Sequence, residues 1–344
     1  METASFYLGK VLAEMLKRNA SSMHLSVGNL PTLKIDHRIV PLEGEDIVNT
    51  EMIQKIIDLY LDEKEKEKLS QKKALIAVKT LMNKYRFKVG IFYQRNMPSV
   101  SFHYIADKVV ELQEIGLPSQ FMQILNVSSG LIVVAGPFSS GKTTTSVSII
   151  EEFNKQKEKH IITLEDPIEY LFYSKKCVIE QREIGIDVLS VKDGLSYSLN
   201  EDVGLVYIGE NKDDMSDYMP LAMELASGNS LVILEMNSQN TLGALEKVLN
   251  GLEKTYSREA SQHMLADVLF ATLVQKLIPR RGGGMVMACE IIMATPPIRS
   301  LIRDGKMLQM DSVVITSRKD GMISMKKSLE ELVQRGEVRP EDLY

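Results

Sequence analysis

The stretch LIVVAGPFSSGKTTTSVSIIEEF, residues 131–153, decides the fold of this chain. Five apolar residues are followed by GPFSSGKT (Gly136–Thr143) and then by a segment that begins like a helix. The octapeptide fits G-x-x-x-x-G-K-[ST], the pattern of a phosphate-binding loop that joins a strand to a helix. The sequence therefore predicts a site for a nucleoside triphosphate inside an α/β domain.

Several positions of this loop have a definite physical role. Gly136 and Gly141 let the backbone turn its N–H groups inward, because they carry no Cβ. Lys142 is expected to reach the β- and γ-phosphates, and the Thr143 hydroxyl to ligate Mg²⁺. The predicted cofactors are therefore ATP and Mg²⁺. The predicted nucleotide contacts are Gly136, Pro137, Phe138, Ser139, Ser140, Gly141, Lys142, Thr143 and Thr144.

The alternative is a glycine turn that binds nothing. A lysine at the start of a helix opposes the positive end of the helix dipole unless an anion lies nearby. The position of Lys142 therefore favours a phosphate-binding loop over an empty turn.

The composition excludes several classes of protein. A formal charge of −5 and a pI near 5.7 argue against nucleic acid as a partner. The two cysteines, Cys177 and Cys289, form no C-x-x-C pair, so neither a zinc site nor a disulfide framework is expected. No apolar run approaches the length of a membrane span, and the N-terminus has none of the features of a signal peptide. A reduced, cytoplasmic protein is predicted.

At 344 residues the chain has room for two domains. We expect a small mixed α/β domain at 1–105, a linker at 106–119 and a larger domain at 120–344. In the first domain, one helix is predicted from about Thr50 to Leu69, with ion pairs such as Asp62–Lys66 on a solvated face.

Two further predictions concern strands of the first domain. TLKIDHRIV (residues 32–40) is expected to be one strand. Residues 85–94 and 98–105 alternate like paired strands around a turn at Arg95–Met97.

The second domain alternates short apolar runs with helical stretches. This alternation predicts a parallel sheet of the RecA-like kind, with helices packed against it. The predicted strands are LIVVAG, HIITLED, GLVYIGE, SLVILE and MVMACEIIM, at 131–136, 160–166, 204–210, 230–235 and 285–293. The chain from PPIRSLIRDGK onward is expected to form helices beside this core.

Two groups of carboxylates follow predicted strands, where ligands of open α/β sheets bind. Glu165 and Asp166 come after IITL, and Glu210 comes after VYIG. A carboxylate at such a place can hold Mg²⁺ through water or orient the attacking water, so these three are the predicted catalytic residues. A structural role as a helix N-cap or turn residue is the alternative for each.

These motifs resemble the PilT class of secretion ATPases, the twitching-motility motors that retract type IV pili. The resemblance covers nearly the whole chain, although the histidine box of the class is missing here. The matching segments are SSMHLSVGNLPTLKIDHRIVPL, RFKVGIFYQR, GLPSQF, GPFSSGKTTT, ITLEDPIEY, QREIGID, GENKD, VLFATLVQKLIPR and PPIRSLIRDGK. Extension and type II secretion relatives usually carry a four-cysteine insertion, which two lone cysteines exclude.

The resemblance implies an assembly and a place in the cell. It implies a RecA-like P-loop core behind a PAS-like N-terminal domain, joined in a homo-hexameric ring. It also implies an inner-membrane platform protein as partner, so that the ring lies at the cytoplasmic face of the inner membrane, peripheral to it. Arg86 and Arg95 fall at arginine positions of the class and are predicted to approach nucleotide between subunits, with solvated strand-end arginines as the alternative.

The chain departs from the class in two motifs. Two arginines expected before the second acidic strand are replaced by Ser196 and Asn200. Both histidines of the histidine box are absent, and the register of the resemblance puts Ser230 and Asn237 in their places. The candidates to replace the arginines are Arg182, Arg280 and Arg281.

Two functions stay open at this point. One is a motor that hydrolyses ATP, and the other is an accessory paralogue that binds nucleotide and assists a complete motor. An arginine that stabilises the γ-phosphoryl is worth roughly 10³–10⁵ in rate, so its loss would leave binding intact and slow turnover. A P-loop kinase or DNA translocase would leave the first domain unexplained.

The segment Pro297–Lys306 resembles the signature of retraction motors. Ile298, Leu301 and Ile302 have helical spacing, which predicts a packed amphipathic helix with Arg299 and Arg303 exposed. The other interpretation is a surface that retraction needs.

Overall fold

The computed structural model describes residues 2–343, without the side chains of residues 2–4, 119 and 120. Within this range the helices, in chain order, are α1 Glu2–Lys17, α2 Thr50–Tyr60, α3 Glu63–Lys72, α4 Lys142–Gln156, α5 Val191–Ser198, α6 Met215–Ser227, α7 Thr241–Glu253, α8 Arg258–Val268, α9 Pro296–Arg303, α10 Met310–Thr316 and α11 Met325–Gln334. Short 3₁₀ turns lie at Leu112–Ile115, Ser119–Asn126, Met307–Gln309, Arg318–Asp320 and Pro340–Leu343.

The strands form two separate sheets. They are β1 Ser22–Ser26, β2 Thr32–Ile35, β3 Arg38–Pro41, β4 Ala74–Leu81, β5 Tyr85–Gln94, β6 Met97–Ile105, β7 Gly130–Gly136, β8 His160–Glu165, β9 Val178–Glu183, β10 Leu205–Ile208, β11 Leu231–Asn237, β12 Leu269–Pro279 and β13 Met285–Met293. The first sheet has the order β3-β2-β1-β6-β5-β4, and the second β13-β12-β7-β11-β10-β8-β9.

The chain divides into two compact units. The first contains the residues up to Lys108 and Gly282–Gly284, and the second contains Val109–Arg281 and the residues from Met285 onward. The boundary between the units falls after Lys108, whereas the sequence predicted a separate linker at 106–119. Leu112, inside that range, is buried in the core of the second unit.

The first unit is an antiparallel sheet with α1 to α3. Residues 32–40 form a hairpin instead of one strand, because Asp36 and His37 take positive φ and turn the chain back. The hairpin of β5 and β6 is paired as predicted, and its turn is Arg95–Asn96, also at positive φ. Positive φ at both central residues is the geometry that lets a two-residue turn match the strand twist.

The predicted helix from Thr50 to Leu69 is wrong, because the chain there forms two helices. Asp62 caps α3: its side chain accepts a hydrogen bond from the Glu65 N–H, and the Glu65 side chain accepts one from the Asp62 N–H. This capping box starts a new helix. Lys66 consequently pairs with Glu63 at 2.9 Å, not with Asp62.

The second unit has the α/β architecture that the sequence predicts, with a mostly parallel sheet. Strands β7 to β11 and the β7–β12 pair are parallel. Two strands that the apolar runs did not reveal are β9 and β12, because β9 is half polar (VIEQRE) and β12 follows α8 directly. The segment 285–293 was expected to be a parallel strand, but β13 pairs with β12 in antiparallel register.

The core of the second unit lies between its sheet and helices. All seven residues of β7 are buried, which explains the continuous apolar run before the loop. The C-terminal segment forms α9, α10 and α11 as expected, and buried Ile298 and Ile302 join the same core. Cys177 and Cys289 are both buried free thiols. Across residues 2–343, no helix combines the length and apolar character that crossing a bilayer requires.

Candidate functional site

The loop Gly136–Thr143 connects β7 to α4 in a strained shape that its glycines and serines accommodate. Ser139 has a φ of 59° and Gly141 a φ of 86°, both in the left-handed region. A Cβ on Gly136 would overlap the Ser140 hydroxyl and the Gln275 carbonyl, so no larger residue fits there. From β12, the Gln275 side-chain amide donates to the Ser140 carbonyl at 2.8 Å and holds the loop from beneath.

The loop leaves polar groups available to an anion. α4 begins at Lys142, and its N-cap Gly141 offers no side chain to accept from the first N–H groups. The Ser140 hydroxyl is buried and has no hydrogen-bond partner within the described chain. Unpaired N–H groups at a helix start with an unsatisfied hydroxyl beside them fit a phosphate group. The predicted contact Phe138, by contrast, has a side chain that is largely exposed.

The Lys142 ammonium is buried and surrounded by acceptors. It donates to the Pro137 carbonyl at 3.1 Å and to Asn237 Oδ1 at 3.0 Å, and it lies 3.3 Å from Glu210 Oε2. Two of its three donors thus make hydrogen bonds within the chain, and Glu210 adds an ion pair. The structure thus brings together the predicted phosphate-binding lysine and the predicted catalytic Glu210.

Asn237 connects these two charged groups. It ends β11, in register with Gly136 on β7, and its amide nitrogen donates to Glu210 Oε1 while its amide oxygen accepts from Lys142. The sheet order explains this contact, because β11 lies between β7 and β10, the strand that leads to Glu210. The chain positions Asn237 where the resemblance places a histidine.

Glu235 is a site residue that the sequence reasoning missed. It lies on β11 with only 4% of its surface exposed, and Thr143 donates its hydroxyl proton to Glu235 Oε1 at 3.0 Å. Burial raises the pKa of the Glu235 carboxyl above its ordinary value. The signal in the sequence was a carboxylate closing the apolar run SLVILE, which was interpreted only as the end of a strand.

Glu165 and Asp166 lie farther along the sheet. Glu165 ends β8, accepts hydrogen bonds from Thr163 Oγ1 at 2.7 Å and Gln181 Nε2 at 3.2 Å, and is 3% exposed. Burial raises the pKa of its carboxyl to about 7. Asp166 follows in a bend, 3.7 Å from Lys212. The hydrogen bonds and ion pairs described for these two carboxyls do not include a residue of the phosphate-binding loop.

Two of the predicted inter-subunit arginines lie on strands and one lies in a turn. Arg86 is on β5 and Arg95 is in the β5–β6 turn. Arg182 is on β9, the edge strand of the second sheet, with its guanidinium 5.0 Å from the centre of the Tyr197 ring. One Arg182 nitrogen, Nη1, is buried and has no hydrogen-bond partner in the described part of the chain.

At positions where the resemblance expects arginines or a histidine, Ser196, Asn200 and Ser230 make local hydrogen bonds. Ser196 and Asn200 on and after α5 donate to carbonyls of that same helix. Ser230 is buried and donates to the Val203 carbonyl at 2.6 Å, which ties the starts of β10 and β11 together. Arg280 pairs with Glu337.

Comparison with known proteins gives consistent matches over most of the chain. The family described as type II/IV secretion system protein matches residues 4–337. The chain is 31% identical over 335 residues to the type IV pilus retraction ATPase PilT of Pseudomonas aeruginosa, covering 97% of this chain and 96% of that protein. It is 34% identical over 262 residues to a twitching motility protein of Neisseria gonorrhoeae, covering 76% of this chain and 69% of that protein.

A solved structure extends this likeness to three dimensions. The fold is similar to that of the pilus retraction motor PilT with bound ADP, with a TM-score of 0.81 and 30% sequence identity. The match covers 97% of this chain and 94% of the solved one.

Proposed function

Because the chain belongs to the type II/IV secretion system protein family, a family of ATPases, we propose that it is a motor subunit that powers type IV pilus retraction. Its similarity to a retraction ATPase and to a twitching motility protein supports this specific task. The chemical step is the hydrolysis of ATP at the loop Gly136–Thr143.

One observation carries the proposal: the 3.3 Å contact between Lys142 and Glu210. A lysine that binds phosphate and a carboxylate that can orient water must act at the same phosphoryl group. Lys142 comes from the loop after β7 and Glu210 from the chain after β10, yet the two side chains meet. Strand β11 lies between β7 and β10, and its Asn237 contacts both groups. A phosphate oxygen would replace one of the acceptors of Lys142 and leave Glu210 beside the γ-phosphoryl.

The loop residues fit a nucleotide with its cation. The N–H groups at the start of α4, the Ser140 hydroxyl and Lys142 would hold the phosphates, and the Thr143 hydroxyl would ligate Mg²⁺. Mg²⁺ prefers a few protein oxygens with phosphate and water as its remaining ligands, so one hydroxyl suffices. When bound, the cation would neutralise charge that develops on the phosphate oxygens.

Asn237 is proposed to take over part of the role of the missing histidine. Its amide donates to Glu210 and accepts from Lys142, so it fixes the carboxylate relative to the ammonium. An amide carries no positive charge, however, and the arginine positions hold Ser196 and Asn200. Transition-state charge is therefore left to Mg²⁺, Lys142 and an arginine supplied elsewhere, for which Arg86, Arg95 and Arg182 are the candidates.

The proposed assembly is a homo-hexameric ring at the cytoplasmic face of the inner membrane. It would be peripheral to the membrane and attached through a pilus platform protein. The position of Arg182 on β9, an edge strand, supports a site completed by a neighbouring subunit.

The second candidate is an accessory paralogue that binds nucleotide and assists a complete motor. The observation that favours it is the pair Ser196 and Asn200: the hydrogen bonds described for their side chains go to carbonyls of α5, and neither residue is a cation. In that case nucleotide would change the shape of the ring without fast turnover.

Steady-state phosphate release from the purified protein distinguishes the two candidates. For a motor, we expect Glu210→Gln to lower kcat by about 100-fold, the scale of lost general-base catalysis, with ADP binding retained. Glu224→Gln, an exposed position on α6, is the matched control and keeps wild-type turnover. If wild type and Glu210→Gln are equally slow while both bind ADP, the motor proposal is wrong and the accessory one stands.

A further inference from the structure

Glu235 is an exception within its strand. The four preceding residues of β11, Leu231–Leu234, are apolar and fully buried, and Glu235 itself is 4% exposed. Moving a carboxylate from water into such surroundings costs several kcal/mol unless hydrogen bonds satisfy it. A strand of this sheet needs no carboxylate for its packing, so the contacts of Glu235 must explain it.

Both oxygens of Glu235 accept hydrogen bonds from hydroxyl groups. Oε2 accepts from the Tyr207 hydroxyl at 2.7 Å and from Ser146 Oγ at 3.4 Å. Tyr207 comes from β10 and Ser146 from α4, so the carboxylate is held from two sides. Its other oxygen, Oε1, accepts from Thr143 Oγ1 at 3.0 Å.

The contact with Thr143 has a directional consequence. A hydroxyl has one proton and two lone pairs. With its proton directed to Glu235, the Thr143 oxygen turns its lone pairs away from β11. Without that acceptor the hydroxyl could rotate about its side-chain bonds and direct its proton elsewhere. Glu235 therefore decides the orientation of Thr143.

The other carboxylates near the loop are occupied differently. Glu210 contacts Lys142 and Asn237, and Glu165 accepts from Thr163 and Gln181. Among the hydrogen bonds described for residues 2–343, the carboxylate on the Thr143 hydroxyl belongs to Glu235.

We propose that Glu235 is a positioning residue for the cation of the nucleotide site: it accepts the proton of Thr143 and so presents the hydroxyl oxygen to Mg²⁺. This inference rests on the proposed function, because it requires a nucleotide with its cation at the loop. It predicts that Glu235 governs cation affinity and contributes little to the affinity for nucleotide alone.

The test measures the affinity of the protein for Mn²⁺, a paramagnetic substitute for Mg²⁺, by electron paramagnetic resonance in the presence of ADP. Binding of the fluorescent analogue mant-ADP in EDTA is measured in parallel. Loss of a partner that orients a metal ligand typically lowers metal affinity about 10–100-fold, and we expect this for Glu235→Met. Glu235→Gln, whose neutral amide oxygen is a weaker acceptor, should give an intermediate loss. Neither variant should change mant-ADP affinity in EDTA.

Two controls separate positioning from general damage. Glu152→Met removes another buried carboxylate, which lies on α4 nine residues after Thr143. This variant should leave Mn²⁺ affinity as in wild type. In a Thr143→Ala background, Glu235→Met should add no further loss, because the residue acts through the missing hydroxyl.

The outcomes are distinct. Mn²⁺ affinity equal to wild type in both Glu235 variants overturns the inference, as does a full loss that persists in the Thr143→Ala background. If Glu235→Met does not fold, Glu235→Gln decides by the same criterion, since glutamine keeps the shape and can bond to all three hydroxyls. If wild-type protein fails to bind mant-ADP even with Mg²⁺, the proposed function itself is wrong. Tight mant-ADP binding with unchanged Mn²⁺ affinity refutes the inference alone.

Discussion

Glu165 is a carboxyl group inside the sheet, and its protonation couples folding to pH. Burial raises its pKa from 4.5 to about 7, although hydrogen bonds from Thr163 and Gln181 oppose this shift. Between these two pH values the folded chain holds a proton at Glu165 that the unfolded chain has released. Raising the pH through this window therefore favours unfolding.

We expect the free energy of unfolding of the metal-free protein to fall by up to about 3 kcal/mol between pH 4.5 and pH 8 through this group. Glu165→Gln should remove that part of the pH dependence, because an amide does not titrate. The measurement is urea unfolding in EDTA across the pH range. Glu224→Gln is the control at an exposed position, and an unchanged slope in Glu165→Gln would contradict the assignment.

At this scale the loop residues were predictable and their supports were not. The pattern G-x-x-x-x-G-K-[ST] identifies Lys142 and Thr143, because the chemistry of phosphate fixes residue types at fixed spacing. Glu235 and Gln275 hold the loop from other strands, and no spacing rule connects them to it. Asn237 was noted only as the residue at a histidine position of the resemblance, and its contacts with both Lys142 and Glu210 depend on the strand order, which a sequence does not contain.

Among the elements, α9 packs differently from the simple amphipathic helix that was expected. Ile298 and Ile302 are buried as predicted, and Arg303 is exposed and pairs with Asp267 at 2.6 Å. Arg299, predicted to be exposed, is half-buried. Its guanidinium donates to the carbonyls of Ala266 and Asp267, the last turn of α8. It thereby satisfies acceptors that a helix end leaves open.

We expect Arg299→Ala with Arg303→Ala to lower the stability of the protein by about 2 kcal/mol, mainly through the two carbonyls left unpaired. Thermal unfolding should shift by about 5 °C, and nucleotide binding should remain. Arg303→Ala alone breaks an exposed ion pair and should cost under about 1 kcal/mol, so it is the better probe of a surface needed for retraction. Arg339→Ala, in another exposed pair, is the control. Equal stability of the double variant and wild type would refute the capping role.

The strength of the apolar pattern decided which of the elements the sequence could predict. β7 and the β5–β6 hairpin were predicted because their apolar patterns are strong. The break between α2 and α3 was missed, since the charged run 62–68 looks helical throughout and only the capping box at Asp62 separates the helices. β9 was missed because an edge strand needs no apolar run.

For the whole molecule, each unit has a core of its own. The first unit buries Phe87 and Phe102, whose rings meet edge-to-face at 6.4 Å, among the apolar residues of α1, α2 and the first sheet. We expect a fragment of residues 1–108 to fold alone and to unfold cooperatively, as followed by circular dichroism. Phe87→Ala should cost it about 3–5 kcal/mol.

Phe92, exposed on β5, provides the matched control, since Phe92→Ala removes the same side chain without opening the core. A fragment that shows no unfolding transition would mean that the first unit depends on the rest of the chain.

The contact of Gln275 with the phosphate-binding loop has a consequence for the kinetics of nucleotide binding. Ser139 and Gly141 already hold their left-handed conformations, and Gln275 fixes the Ser140 carbonyl, so the entropy of ordering the loop is lost during folding and not on binding. Binding of a nucleotide then does not require the loop Gly136–Thr143 to become ordered. For the nucleotide to bind, the Lys142 ammonium must instead exchange one of its protein oxygen contacts for a phosphate oxygen. We therefore expect the exchange of contacts at Lys142, more than ordering of the loop, to set the barrier to nucleotide entry and release.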